Sequence, residues 1–159
     1  MILTFQSCSK TYAMTGWRIG YTAGNSKVIK AMSKLQGQST SCPNSIAQMA
    51  AVEALTGSQK AIPEMRKIFK LRRTLIMNRL KSINGVNCTL PGGAFYVFPD
   101  FTPFIGKKLD GKLINTATDI AMYLVEKKQV VAVPGDGFGS PNNIRFSYAA
   151  SDQNINDAM

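Results

Sequence analysis

The chain has 159 residues, of which 45% are hydrophobic and 18% charged, so it is long and apolar enough for one folded domain or two small ones and is not a disordered tail. Nineteen Lys and Arg against nine Asp and Glu give a formal charge of +10, which makes nucleic acid or an anionic small molecule the first partners to consider. The absence of histidine excludes Ser-His and Cys-His nucleophile pairs and His-ligated zinc. Chemistry must therefore run through Lys, Arg, Tyr, Ser, Cys or carboxylates.

The cysteines and the first residues bear on the compartment. Cys8, Cys42 and Cys88 form no CxxC pair, so neither a zinc ribbon nor a disulfide framework is predicted, and no metal site is expected. The first residues lack the basic region and apolar core of a secretory signal, and no apolar run reaches about 18 residues. We predict a soluble chain that is cytoplasmic by default and does not bind membranes.

The first part of the chain predicts short strands and helices. The predicted elements are a strand at Ile2–Phe5, a turn and a second strand within residues 11–24, a helix at Lys27–Leu35, and a helix that starts at Pro43-Asn44-Ser45 and continues over Ile46–Leu55.

A longer helix is predicted from Pro63, and it ends at Asn84-Gly85. Apolar residues fall mostly on one of its faces, and basic residues occupy the others: Arg66, Lys67, Lys70, Arg72, Arg73, Arg79 and Lys81. One interpretation is a solvated basic face on an amphipathic helix. The alternative is a non-catalytic basic module that binds polyanions through the helix from Pro63 to Lys81, although no aromatic residues interleave with its charges.

After Gly85 the pattern becomes mixed. The predicted elements are strands at Val86–Leu90 and Ala94–Phe98, a loop with Pro103 and Gly106, a helix at Asn115–Lys127, a strand at Val130–Val133, the loop PGDGFGSPNN, a strand at Ile144–Tyr148 and a helix capped by Ser151. The whole is α/β, with a boundary near the long helix. A strand at the very start and a helix that stops at Met159 predict a piece of a larger protein.

Lys10 is the first candidate for chemistry. It follows a predicted strand, with hydroxyls at Ser7 and Ser9 before it and Arg18 eight residues after it. A lysine amine can bond covalently to a carbonyl carbon, and an arginine with small hydroxyls can hold a phosphate. Together they suit a phosphorylated aldehyde, although Lys and Arg on a turn are usually solvated charges. The glycines of the loop PGDGFGSPNN imitate a phosphate loop, but no Lys-Ser/Thr follows them, so a plain loop is predicted.

The sequence itself adds a family resemblance. The run SCSKTYAMTGWRIGY from Ser7 to Tyr21 closely resembles the lysine segment of class I and II aminotransferases, the fold-type I pyridoxal-phosphate enzymes, and especially the aspartate and aromatic or prephenate branch. Three later stretches agree with it in order: QSTS with Pro43 and SIAQ, then PGGAFYVFP from Pro91, then NIRFSY from Asn143.

This resemblance covers nearly the whole chain but only the C-terminal part of such an enzyme. It implies the end of the large cofactor domain at residues 1–62, a connecting helix at 63–84 and most of the α/β small domain at 85–159. Because any transit peptide would lie in the preceding part, an organelle stays an alternative compartment.

The resemblance also implies roles for individual residues. Lys10 would be the catalytic residue that binds pyridoxal 5'-phosphate covalently and moves the substrate proton, while Ser7 and Arg18 would hold the cofactor's phosphate. Arg145 would bind the substrate α-carboxylate, and its alternative is a strand residue that pairs with a carboxylate for packing. Phe95 would form a wall of the substrate pocket, and Ser39 and Thr40 resemble a loop that reaches the partner subunit's site.

The implied activity is amino transfer from an aspartate-type or aromatic amino acid to a 2-oxo acid, by a homodimer without nucleic acid. In the family, the acid that pairs with the pyridine nitrogen precedes the lysine, whereas the first acidic residue here is Glu53. We therefore expect the isolated chain to be a poor enzyme or none. A further alternative is a truncated chain that pairs with a full-length subunit.

Overall fold

The structure is a computed structural model that describes residues 2–159. It divides into two compact units, and the boundary falls between Met65 and Arg66. We call the residues up to Met65 the first unit and Arg66–Met159 the second unit. The predicted boundaries at residues 62 and 84 stay predictions.

The first unit contains one antiparallel strand pair, three complete helices and, at residues 61–65, the start of a fourth helix. Its elements are β1 (Leu3–Ser7), α1 (Cys8–Thr11), a 3-10 turn at Thr15–Trp17, β2 (Gly20–Gly24), α2 (Ser26–Ser39) and α3 (Ser45–Thr56). In the strand pair, Leu3 lies opposite Gly24 and Ser7 lies opposite Gly20. The sequence predicted both strands and both longer helices, while α2 runs four residues beyond its predicted end at Leu35.

Asparagine side chains start both longer helices of this unit. Asn25 accepts a hydrogen bond from the backbone N–H of Lys27 at 3.0 Å. Asn44 accepts from the N–H groups of Ile46 at 2.9 Å and Ala47 at 3.1 Å. Such caps satisfy N–H groups that have no partner within the helix.

Helix α4 (Ala61–Lys81) starts two residues before the predicted Pro63 and ends three residues before Asn84. Proline is tolerated in the first turn, where its missing N–H would have no partner in the helix. Beyond Lys81 the backbone tightens, since the N–H of Ser82 donates to the carbonyl of Arg79 at 3.1 Å. Gly85 has a positive φ of 90°, a conformation that glycine adopts without a steric penalty and that ends the turn.

The second unit contains a three-stranded antiparallel sheet in the order β3-β7-β6. Beyond α4, its elements are β3 (Tyr96–Val97), a 3-10 turn at Thr102–Phe104, β4 (Lys108–Leu109), β5 (Lys112–Leu113), α5 (Ala117–Lys128), β6 (Val133–Pro134), a 3-10 turn at Gly135–Phe138, β7 (Ile144–Ser147) and α6 (Asp152–Ala158). The helices predicted at Asn115–Lys127 and after Ser151 are confirmed, as is the strand that starts at Ile144.

Some predicted strands of this unit are wrong in place or extent. Residues 86–90 form only an isolated bridge, between Asn87 and Asp100, and the strand predicted at Val130–Val133 is the two-residue β6 instead. The hairpin of β4 and β5 was not predicted. Its turn residues Asp110 and Gly111 have φ values of 48° and 80°, which is the Asp-Gly pattern of a tight hairpin turn.

A core of large side chains fills the second unit. Its buried members are Ile76, Met77, Leu80, Val86, Val97, Phe101, Ile114, Ala117, Ile120, Ile144, Phe146, Tyr148 and Ile155. In β7 the buried residues alternate with less buried ones, so Ile144 and Phe146 face the core while Arg145 lies on the other face.

Two polar contacts join α6 to α4. Arg72 forms an ion pair with Asp152 at 3.0 Å, and Arg79 donates to the side-chain oxygen of Asn156 at 2.7 Å. Ile155 between them is 4% exposed. These contacts hold a helix that is too short to be stable by itself. Within residues 2–159, no helix is long and apolar enough to span a membrane.

Candidate functional site

The candidate lysine lies at the junction of β1 and α1. Ser7 ends the strand and caps the short helix, because its hydroxyl oxygen accepts the backbone N–H of Ser9 at 3.1 Å. The same hydroxyl group lies 2.9 Å from that of Ser9. Cys8 is fully buried, whereas Lys10, in the last turn of α1, is exposed. Burial of Cys8 therefore fixes the start of the helix, and Lys10, two residues later, lies outside this buried contact.

Arg18 lies at the start of the returning strand. Its backbone is left-handed, with φ 52° and ψ 46°, a conformation that costs a non-glycine residue about 1 kcal/mol or more. Its Nη1 donates to the carbonyl of Thr15 at 3.0 Å, which leaves further N–H donors on an exposed guanidinium. Strain of this kind is concentrated at functional sites.

Pairing of β1 with β2 brings Ser7 next to Ile19 and Gly20, the two residues that follow Arg18. A Cβ at Gly20 would lie 2.6 Å from the carbonyl oxygen of Gln6, so any other residue there would require the two strands to shift. The N–H of Cys8 donates to the carbonyl of Ile19 at 3.3 Å. One strand–helix–strand segment therefore carries a hydroxyl, an amine and a guanidinium, a donor set that matches a phosphorylated aldehyde.

Arg18 lines two open surface pockets of the first unit. One, of about 480 Å³, is also lined by Phe5, Tyr21 and Gln36. The other, of about 540 Å³, is also lined by Trp17 and Asn44. Arg18 thus has space around its charge, as a residue that holds an anion requires.

Arg145 of the second unit contacts two aromatic rings. Its guanidinium carbon lies 4.4 Å from the ring centre of Tyr96 and 4.6 Å from that of Phe138. No carboxylate and no hydrogen-bond acceptor of residues 2–159 contacts its N–H groups. The second unit therefore does not contain the ion pair with a carboxylate that was the alternative prediction for Arg145. Neither contact of Arg145, with Tyr96 or with Phe138, was predicted from the sequence.

Phe95 lies beside this cluster, at the end of a loop with two anchors. Its ring centre is 4.4 Å from that of Tyr96. The hydroxyl of Tyr148 donates to the carbonyl of Ala94 at 2.9 Å, and Nη1 of Arg73 donates to the carbonyl of Pro91 at 2.7 Å. Burial raises the pKa of Tyr148, and the positive charge of Arg73 opposes that rise. The phenol therefore stays protonated and can donate at neutral pH.

The basic face of α4 is partly engaged within the protein. Arg72 and Arg79 contact α6, and Arg73 contacts the loop at Pro91. These three side chains are committed to packing the second unit, so the face offers a polyanion fewer charges than the sequence suggests. This observation weakens the polyanion-binding alternative.

Two smaller predictions involve exposed residues of the first unit. Ser39 ends α2, where its hydroxyl donates to the carbonyl of Gln36 at 3.3 Å, and Thr40 follows it. Their approach to a partner subunit stays a prediction.

All three cysteines are free: Cys8 is buried, Cys42 exposed and Cys88 intermediate. Burial raises the pKa of Cys88, against a smaller opposite effect of the backbone at Phe98.

The family described as "Aminotransferase class I and II" matches residues 1–159. A probable aspartate/prephenate aminotransferase of Rhizobium leguminosarum bv. phaseoli is 50% identical over 98% of this chain and 39% of its own length. An aspartate aminotransferase of Pinus pinaster is 42% identical over 99% of this chain and 33% of its own length.

Solved structures give the same result for the fold. The aspartate aminotransferase of Rhizobium meliloti matches with a TM-score of 0.92 and 46% identity, over 98% of this chain and 39% of that one. An aromatic aminotransferase of Pyrococcus horikoshii OT3 matches with a TM-score of 0.85 and 35% identity, over 99% of this chain and 40% of that one. The expected fold, part of the fold-type I α/β architecture, is confirmed. The chain spans 33–40% of the length of these relatives, consistent with the expected partial coverage.

Proposed function

The chain belongs to the class I and II aminotransferase family, and on that premise we propose that it supplies the cofactor lysine and the substrate-carboxylate arginine of a pyridoxal-phosphate-dependent aminotransferase. The amino donor is of the aspartate or aromatic type and the acceptor is a 2-oxo acid, in keeping with the names of the relatives. The complete enzyme is a homodimer. The observation that carries the proposal is that Ser7, Lys10 and Arg18 all lie on one strand–helix–strand segment.

The residues of this segment fit the cofactor by their chemistry. Ser7 offers a hydroxyl and Arg18 offers guanidinium N–H groups to a phosphate dianion. Lys10 offers an amine, which can lose its proton in a shielded site, whereas a guanidinium cannot. When bound, pyridoxal phosphate supplies the electron sink that stabilises a carbanion at the substrate α-carbon.

Each residue then has a distinct task. Lys10 would hold the cofactor through Nζ, and its amine, once freed by substrate, would accept the proton from the substrate α-carbon and donate it to the former aldehyde carbon of the cofactor. Arg145 binds the substrate carboxylate through two parallel N–H donors. Phe95 excludes water from one wall of the substrate pocket. Arg18 and Ser7 fix the cofactor's phosphate, so the reacting atoms stay in register.

Cofactor trapping tests this proposal directly. The 159-residue chain is mixed with pyridoxal phosphate, reduced with borohydride and mapped by mass spectrometry. We expect saturable labelling at Lys10 that disappears in Lys10→Arg. The matched control is Lys27→Arg, which removes an exposed lysine of α2 in the same unit and should leave the labelling unchanged. Labelling scattered over the lysines, or retained in Lys10→Arg, would remove Lys10 from this role.

Labelling with pyridoxal phosphate and with pyridoxal separates the role of Arg18 from that of Lys10. Arg18→Gln should raise the pyridoxal-phosphate concentration needed for half-maximal labelling, because a charged contact to phosphate is lost. Labelling by pyridoxal, which has no phosphate, should not change. If both aldehydes respond equally, Arg18 acts on the lysine or on the fold rather than on the phosphate.

A further inference from the structure

Two aromatic side chains contact the Arg145 guanidinium, and each is set in place by the fold. We propose that Tyr96 and Phe138 are positioning residues that hold Arg145 for a substrate carboxylate. The inference rests on the proposed role of Arg145. Their ring centres lie 4.4 and 4.6 Å from the guanidinium carbon, well within the distance of about 6 Å at which a cation is attracted to a ring face.

Sheet register places Tyr96 beside Arg145. Val97 of β3 lies opposite Phe146 of β7, and Tyr96 lies opposite Ser147. Val97 and Phe146 are both buried in the core. Since side chains alternate between the two faces of a sheet, Tyr96 and Arg145 share the other face as a diagonal pair, which is within reach of long and aromatic side chains.

Phe138 is held by a tight turn and by a second ring. The 3-10 turn at Gly135–Phe138 begins at a glycine whose Cβ would collide with the carbonyl oxygens of Ser140 and Asn143. The ring of Phe98 meets Phe138 edge to face, with centres 6.0 Å apart. Phe138 is 51% exposed, so burial is not what keeps it in place.

The choice of aromatic partners has a chemical consequence. A carboxylate neighbour would neutralise Arg145 and occupy its N–H donors, whereas a ring face attracts the cation through its quadrupole and leaves those donors unused. The rings also restrict the rotamers of a long side chain before a ligand arrives, which lowers the entropy cost of binding. Arg145 is thus held in position with its N–H groups available to an anion.

The first test measures the contact itself by NMR. Ring currents should displace the Arg145 side-chain resonances from their ordinary positions, and Tyr96→Leu or Phe138→Leu should each return them part of the way. Tyr96→Phe keeps the ring and should keep the displacement. Tyr123→Leu removes a tyrosine that bonds to Asp110 instead and should change nothing at Arg145. Backbone amide spectra of β7 confirm that each variant is folded.

The second test titrates the chain with succinate and follows the Nε–H resonance of Arg145. We expect Tyr96→Leu and Phe138→Leu each to raise the dissociation constant by about 3- to 30-fold, the range that a cation–ring contact provides. Tyr96→Phe should retain the wild-type value. An unchanged constant after loss of both rings would overturn the positioning role.

The outcomes also separate this inference from the proposed function. If succinate leaves the Arg145 resonance of the wild-type chain unmoved, Arg145 is not a carboxylate site and this inference fails, while selective labelling of Lys10 by pyridoxal phosphate would still support the cofactor site. If Arg145 responds as expected but Lys10 is not labelled, the aminotransferase proposal fails and the ring-held arginine stands.

Discussion

The two units of the chain bury very different side chains. In the first unit the buried core comprises Cys8, Met14, Ile19, Ala47 and Ala51, which are mostly small. Large apolar residues of the same unit are exposed, among them Leu35 at 72% and Ile46 at 69%. The second unit instead buries large side chains such as Ile76 and Leu80, each 1% exposed.

This difference implies that stability and chemistry are unequally distributed. Burial of apolar area is the main favourable term in folding, so the second unit should contribute most of the measured free energy of unfolding. The segment with Ser7, Lys10 and Arg18 lies in the unit with the smaller core. Regions with little buried apolar area open more readily. Packing of another surface against the exposed apolar residues of the first unit would therefore stabilise that unit.

Truncation of a core leucine tests the comparison most strongly. Leu80→Ala in the second unit should lower the free energy of unfolding by about 2–5 kcal/mol, because it leaves a cavity among buried side chains. Leu35→Ala in the first unit should change it by less than about 0.5 kcal/mol. Urea denaturation followed by circular dichroism measures both, and equal effects would contradict the unequal burial.

Glycines at close backbone contacts sharpen the comparison. Gly135→Ala should cost about 1–3 kcal/mol, because the new methyl group meets two carbonyl oxygens. Gly137→Ala, where a Cβ meets nothing within 4 Å, is the matched control and should be nearly neutral. Gly20→Ala in the first unit should cost less than Gly135→Ala, since its Cβ meets only the Gln6 carbonyl oxygen closely and a two-stranded sheet can shift. Thermal denaturation ranks the three variants, and a larger loss for Gly20→Ala would reverse the expectation.

Tyr148→Phe should cost about 0.5–1.5 kcal/mol at neutral pH, since the carbonyl of Ala94 loses its donor. The pH dependence has a definite sign. Burial raises the folded-state pKa of Tyr148, so the unfolded chain loses its phenol proton first, near pH 10. The wild-type protein therefore loses stability as pH rises from about 10 through the folded pKa, and the variant should lose less. Parallel melting curves from pH 8 to 11 test this, and an identical alkaline loss would show that Tyr148 does not contribute.

The smallest effect is expected at the start of α5. Asp119 accepts hydrogen bonds from the backbone N–H groups of Asn115 at 2.8 Å and Thr116 at 3.0 Å, and these bonds lower its pKa. Its stabilising effect is therefore present above about pH 4, the ordinary value of an aspartate, and is lost as pH falls through the folded pKa. The melting temperature of Asp119→Asn should lie below that of the wild type at pH 7 and closer to it at pH 2.5. A constant difference would indicate that charge is not involved.

Local signals in the sequence predicted most helices but few short strands. Asn44 and Ser151 are strong capping residues, so the starts of α3 and α6 could be located. In contrast, β3 and β6 have two residues each, and their place depends on pairing with β7 rather than on their own sequence. The segment from Val86 to Leu90 is rich in strand-forming residues, yet only Asn87 pairs, with Asp100.

The residues of the candidate site also differ in how far the sequence could predict them. Ser7, Lys10 and Arg18 are close in sequence, so a motif could identify them together. Tyr96 and Phe138 were missed as partners of Arg145 because one lies in a different strand, β3, and the other in the 3-10 turn at Gly135–Phe138. The alternation of buried residues in β7 could have placed Arg145 outside the core, but only the register with β3 brings Tyr96 to it.

Each unit also contains its own reporter of opening. Cys8 is fully buried in the first unit, and Cys88 is partly shielded in the second. Because a thiol must be accessible and deprotonated to react, pulse labelling with a thiol reagent would record when each unit exposes its cysteine, with the exposed Cys42 as the reference for unhindered reaction. Separate modification rates at Cys8 and Cys88 would time the unfolding of the two units within one unmutated chain.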